Sequence, residues 1–157
     1  MQTINCDTKI ILCSYRQLEE KDKKLVDAAK KAATSAYAPY SHFSVGAAVT
    51  CGNGETMTGN NQENASYPCG MCAERVALFA ASAQKPGMKI EAIAIAAHDG
   101  NGYTKEPVTP CGSCRQVLAE YEARQQTPIR IIMYGEDKIY MTQSAAALLP
   151  LSFSLPR

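Results

Sequence analysis

The sequence predicts an α/β protein built as a three-layer α/β/α sandwich, and three observations carry that prediction. Residues 90–97 form a nearly continuous apolar run of strand length, the pattern of a strand covered on both faces. Residues 16–37 and 72–82 instead carry apolar side chains at helical spacing. Helices and buried strands then alternate along the chain, which favours a helical layer on each face of one sheet.

Residues 1–15 are an N-terminal extension without a recognisable role, in which residues 9–13 read weakly as an extended piece. From Arg16 to about Tyr37 the positions Leu18, Leu25, Ala28, Ala29, Ala32 and Ala36 mostly keep helical spacing, and small residues on that face let the helix lie close to a sheet. Pro39 ends it. Residues 43–49 read as a buried strand, Gly52-Asn53-Gly54 as a turn, and residues 56–59 as the start of a return strand. A helix over 72–82 is stopped by Pro86-Gly87, and the strand over 90–97 follows. Pro110 precedes a further helix with Val117, Leu118 and Tyr121 facing inward. Residues 129–134 and 138–142 read as two more strands, and residues 144–149 as a short helix before the tail. No linker, repeat or low-complexity tract interrupts this order, so one domain is expected over residues 1–157.

Composition narrows the function. Apolar residues make up 46% of the chain and charged residues 20%, as in ordinary globular proteins. The net charge is +1 with no basic stripe, which argues against a nucleic-acid partner. No apolar run approaches the length of a membrane span, and the N-terminus lacks a charged region followed by an apolar one. The seven cysteines are an odd number, which suits free thiols and metal ligands in a reducing compartment; a cytoplasmic location is expected.

The chemistry concentrates in Cys72-Ala73-Glu74 and Pro110-Cys111-Gly112-Ser113-Cys114. Three thiolates can close around one zinc ion and leave a fourth position for water. Cys111 and Cys114 are three apart and share a face at a helix start. Glu74 is offset from Cys72 by roughly 200° around a helix, so it suits proton transfer to and from that water better than ligation. Zinc with three thiolates carries a formal charge of −1, and Arg75 is placed to offset it by donating to a thiolate. Cys69-Gly70-Met71-Cys72 is itself a Cys-x-x-Cys, which opens two rival readings: a closed four-Cys structural zinc module, or a redox pair. The gap to Cys111 far exceeds the roughly 15–20 residues usual between paired modules, and a closed site leaves Glu74 without a task. Asn61 and Glu63 alternate on an extended segment, where they can face sugar hydroxyls or hold a loop. Phe43 by default belongs to the core.

These motifs lie within a longer match. Ala38-Pro39-Tyr40-Ser41-His42-Phe43-Ser44-Val45-Gly46-Ala47-Ala48, residues 59–67, Cys72-Ala73-Glu74-Arg75, residues 110–116 and Leu148-Leu149-Pro150 resemble the cytidine deaminases, in family order, from about Leu18 to Phe153. The resemblance implies a five-stranded mixed sheet, since strand order is not readable from spacing. It implies zinc-dependent hydrolysis of cytidine and deoxycytidine to uridine and deoxyuridine with release of ammonia, as in pyrimidine salvage. One Zn2+ per subunit is expected on Cys72, Cys111 and Cys114, with Glu74 as proton shuttle. The resemblance further implies Asn61 and Glu63 on the ribose 3′-hydroxyl and Phe43 stacked on the base; backbone groups near Ala73 and Cys111 are candidates for contact with the base amide. It also implies a homotetramer in which Phe153 reaches a neighbouring subunit's pocket. Gln62 and Leu151 depart from the family pattern. An alternative is the same chemistry on another amino-heterocyclic nucleoside.

Overall fold

The structure, a computed structural model, describes residues 1–155; Pro156 and Arg157, the end of the expected domain, lie outside the described residues. In chain order it runs β1 (Ile11–Cys13), α1 (Glu20–Ala33), β2 (Ser44–Cys51), β3 (Thr56–Asn60), α2 (Ala73–Gln84), β4 (Ile90–His98), α3 (Gly112–Gln125), β5 (Arg130–Tyr134) and β6 (Ile139–Thr142). The strands form one sheet in the order β1-β6-β5-β4-β2-β3. Only β4 and β5 run parallel, joined through α3; every other neighbouring pair is antiparallel.

The sheet therefore has six strands, where five were expected. The sixth is β1, from the segment that read only weakly as extended. It pairs with β6 through Ile11–Met141, Leu12–Tyr140 and Cys13–Ile139, satisfying backbone groups along an otherwise open edge. Two further boundaries differ from expectation. The first helix begins at Glu20, because Tyr15–Gln17 form a separate 3-10 turn held by a Ser14/Gln17 capping box. Near the C-terminus only a 3-10 turn forms, over Ala146–Leu148.

Side-chain alternation along the strands explains the layers. Val49, Ile93, Ile95, Ile131 and Met133 face α2 and α3, packing with Leu78 and Leu118. Ala48, Ala92, Ala94, Ala96 and Ile132 face α1, packing with Leu25, Val26 and Ala29. The small residues on the second face let α1 approach closely. A Cβ on Gly46 in β2 would stand 2.1 Å from the Ala29 carbonyl oxygen and 2.3 Å from the Ala33 nitrogen, so this position requires glycine. Gly46→Ala is expected to destabilise the protein by about 1–3 kcal/mol, the usual cost of overpacking, read as a lower urea midpoint at unchanged slope.

Gly59 does the same on the opposite face, where a Cβ would stand 2.4 Å from the Ala77 nitrogen and 2.7 Å from the Ala73 carbonyl oxygen. The first turns of α2 thus lie directly on β3, which fixes the height of Cys72 and Glu74 above the sheet. No helix among the described residues is long and apolar enough to cross a membrane.

Candidate metal centre

Two helix starts build the centre. Cys72 is the N-cap of α2 and Cys111 the N-cap of α3, both with extended backbone (φ −73°, ψ 150° and φ −66°, ψ 167°). In each helix the side chain at N3 folds back toward the N-cap, the relation that a capping box uses. In α3 that residue is Cys114, whose Sγ lies 3.5 Å from the Cys111 Sγ. In α2 it is Arg75, whose Nη2 lies 3.7 Å from the Cys72 Sγ. The two starts meet with the Sγ atoms of Cys72 and Cys111 at 3.8 Å.

All three sulfurs lie within 4.8 Å of one another, and among the described residues they are the one group of three or more His, Cys, Asp or Glu able to hold a metal. Tetrahedral zinc–sulfur bonds of about 2.3 Å require sulfurs roughly 3.8 Å apart, so spacing and donor type both fit zinc. Cys69 does not join the cluster. It ends an exposed 3-10 turn over Tyr67–Cys69, after which Gly70 is extended and Met71 pairs with Gln62. Three extended residues span up to about 10 Å, which carries Cys69 away from Cys72.

The electrostatics follow from this packing. Cys72 is pulled down to about 5, first by the hydrogen bond from Cys114 and then by those from Arg75 and Cys111, against the effect of burial. Cys114, wholly buried and the donor toward Cys72, is pushed up. The Arg75 guanidinium is raised in turn, chiefly by its bond to Cys72. Two helix N-termini add positive potential, which further favours thiolate. Glu74 is 5% exposed and lies beside Cys114, and burial raises its carboxyl above the ordinary range.

Beside the thiols opens a cleft of about 360 Å³ whose walls include Asn61, Glu63, Tyr67, Met71, Cys72 and Arg75. Asn61 ties its own wall together: its Oδ1 accepts from the Val45 amide (2.7 Å) and its Nδ2 donates to the Phe43 carbonyl (2.9 Å). Glu63 accepts from the amides of Tyr40 (2.9 Å) and Ser41 (3.2 Å) and from the Ser41 hydroxyl. These side chains therefore hold the turn that carries Phe43, the loop-holding alternative open at the sequence level. A carboxylate has about four acceptor sites, so Glu63 retains capacity for a ligand hydroxyl. Phe43 is half-buried and outside the cleft walls. Ala73 is buried as the first residue of α2. Phe153 is 71% exposed, with its carbonyl accepting from Gln116. Leu151, one of the departures from the family pattern, adopts φ 56° in the turn before it. Gln62 donates to Asn60. Tyr67, which ends the matching stretch 59–67 but was given no role of its own, stacks edge-on against Tyr40 at 6.2 Å.

The Glu63 bonds give a pH prediction. They lower its carboxyl in the fold, the Ser41 hydroxyl most, so they stabilise the ionised form. Their contribution is complete above the unfolded value near 4.5 and is lost as pH falls through the lower folded value. The amide resonances of Tyr40 and Ser41 are expected to stay constant above that range and to shift together below it. In Glu63→Gln that acid shift is expected to disappear.

Comparison with known proteins agrees with this geometry. A family profile described as the cytidine and deoxycytidylate deaminase zinc-binding region matches residues 19–127. A cytidine deaminase of Sporosarcina psychrophila is 40% identical over 133 residues, 84% of this chain and 90% of that protein. A cytidine deaminase of Halalkalibacterium halodurans is 48% identical over 97 residues, 61% of this chain and 68% of that protein. Among solved structures, the cytidine deaminase of Burkholderia pseudomallei superposes with a TM-score of 0.72 at 41% identity, covering 83% of this chain and 97% of that one.

Proposed function

The chain belongs to the cytidine and deoxycytidylate deaminase family, and from that premise we propose that it hydrolyses cytidine and deoxycytidine to uridine and deoxyuridine, releasing ammonia. The observation that carries the reading is the meeting of three thiols at two helix starts with a buried carboxylate beside them. Zinc, one ion per subunit on Cys72, Cys111 and Cys114, supplies activation of the attacking water.

The remaining work falls to the chain itself. Glu74 takes the proton that water releases on adding to C4 of the base and delivers it to N3. It then takes the proton of the new C4 hydroxyl and delivers it to the departing amino group, so that the C–N bond breaks as the carbonyl forms and ammonia leaves. Its burial suits both duties, because a raised carboxyl is nearer the pH at which it must accept and give protons. Arg75 offsets the negative charge of the thiolates. Asn61 and Glu63 take the ribose hydroxyls from the cleft wall; Phe43, on the turn that these two side chains hold, stacks on the base, and the backbone near Ala73 contacts the base amide.

Phe153 has no aromatic partner within its chain among the described residues and is offered to a neighbouring subunit, in a homotetramer of single-domain subunits. The place of action is the cytoplasm, where free thiols persist, and the role is pyrimidine salvage. Purified, zinc-loaded protein presented with a panel of nucleosides tests the reading by ammonia release. Turnover of cytidine and deoxycytidine is expected. Zinc-loaded protein that acts only on a different amino-heterocycle, or on none, overturns it.

A further inference from the structure

Cys111 stands exposed at the end of a long segment without helix or strand, yet metal ligation needs its sulfur fixed to a few tenths of an ångström. The side chain that fixes it is not a ligand. Arg115, in the first turns of α3, sends its guanidinium back along the segment that leads into the ligand. Nε donates to the Pro110 carbonyl at 2.8 Å, Nη2 to the Thr109 hydroxyl at 3.4 Å, and Nη1 to the Leu148 carbonyl at 3.1 Å. Its amide meanwhile donates to the Cys111 carbonyl at 2.9 Å. Side chain and backbone of one residue thus hold the ligand and both residues before it.

None of the ion pairs among the described residues uses Arg115, so no carboxylate explains the placement of its charge. Its three side-chain acceptors are two backbone carbonyls and a hydroxyl, in separate directions that a planar fork can reach and a single ammonium cannot. The Leu148 contact anchors the clamp to a different part of the chain. Without it, the helix start and the approach segment could swing together.

We infer that Arg115 is a positioning residue for the metal centre, holding Cys111 at the distance from Cys72 and Cys114 that zinc requires. The inference rests on the zinc reading above. Outer partners that orient metal ligands change metal affinity by about 10–100-fold when removed, and this is the size of effect expected here.

The test is zinc affinity, measured by competition with a chelating dye at a temperature well below apo unfolding, for the parent, Arg115→Gln and Arg115→Lys, alongside apo thermal midpoints. Both variants are expected to bind zinc about 10–100-fold more weakly, with lysine no real substitute although it keeps the charge. Thr109→Val, which removes one acceptor and leaves the guanidinium, is expected to weaken zinc in the same direction by a smaller factor, and it serves if the arginine variants fail to fold. Lower apo midpoints with unchanged zinc affinity would reduce Arg115 to a structural role and overturn the proposal, as would full rescue by lysine. A parent that takes up no zinc overturns the metal reading itself, which separates the two failures.

Discussion

Glu74→Gln is expected to leave a folded, zinc-loaded protein whose turnover of cytidine falls by roughly two to four orders of magnitude, the range that a lost general acid–base group commands. The amide keeps the volume and hydrogen-bonding reach of the carboxyl but cannot carry protons. Folding should survive for an electrostatic reason. Burial raises the Glu74 carboxyl, so the native state binds its proton more tightly than the unfolded chain does. In the metal-free protein the ionised form therefore costs stability once pH passes the unfolded value near 4.5, and a neutral amide removes that cost. Single-turnover rates measured with zinc content separate loss of chemistry from loss of metal. Residual activity within tenfold of the parent would take Glu74 out of proton transfer.

The second large effect concerns the ligands. Cys111→Ala and Cys114→Ala are each expected to reduce zinc affinity by more than the ~100-fold typical of losing an outer partner, and to lower the thermal midpoint, because metal binding contributes folding free energy. Cys114 is wholly buried and Cys111 exposed, so the first loss should also disturb packing while the second should act almost entirely through the metal. Cys69→Ala is expected to change neither zinc content nor midpoint. Metal analysis of the three purified variants decides the matter, and equal zinc loss from Cys69→Ala would revive the four-Cys module.

What the sequence displays and what it hides divide along a physical line. The thiol cluster was legible because each half of it is local: an N-cap and its N3 residue are fixed by the helix alone, whether the pair is Cys111/Cys114 or Cys72/Arg75. The strands of the sheet interior were legible because burial on both faces leaves an apolar run such as residues 92–97 of β4, with Glu91 exposed near its start. β1 was scarcely visible, since three residues carry too little periodicity and its partner β6 lies at the far end of the chain. The bonds of Asn61 and Glu63 were hidden for a related reason. Their partners lie 16 to 23 positions upstream, and no spacing rule connects a loop side chain to the turn it holds. Arg115 belongs to the same class, because one of its acceptors, Leu148, is 33 residues away. Phe153 is seen only within one chain, where its ring is exposed.

Cys72 and Cys111 occupy N-cap positions normally taken by serine, threonine, aspartate or asparagine, and neither side chain accepts a hydrogen bond from a backbone amide of its helix. Each helix therefore begins without the device that usually stops its first turn from fraying. Zinc held by both N-cap residues would take over that duty, closing α2 and α3 by a shared fastening. Removing the ion should free both first turns together and leave the sheet untouched. In amide hydrogen exchange, residues 73–76 and 112–115 are expected to lose protection in parallel on chelation while β4 and β5 keep theirs, a local opening that reports occupancy at two helices through one site.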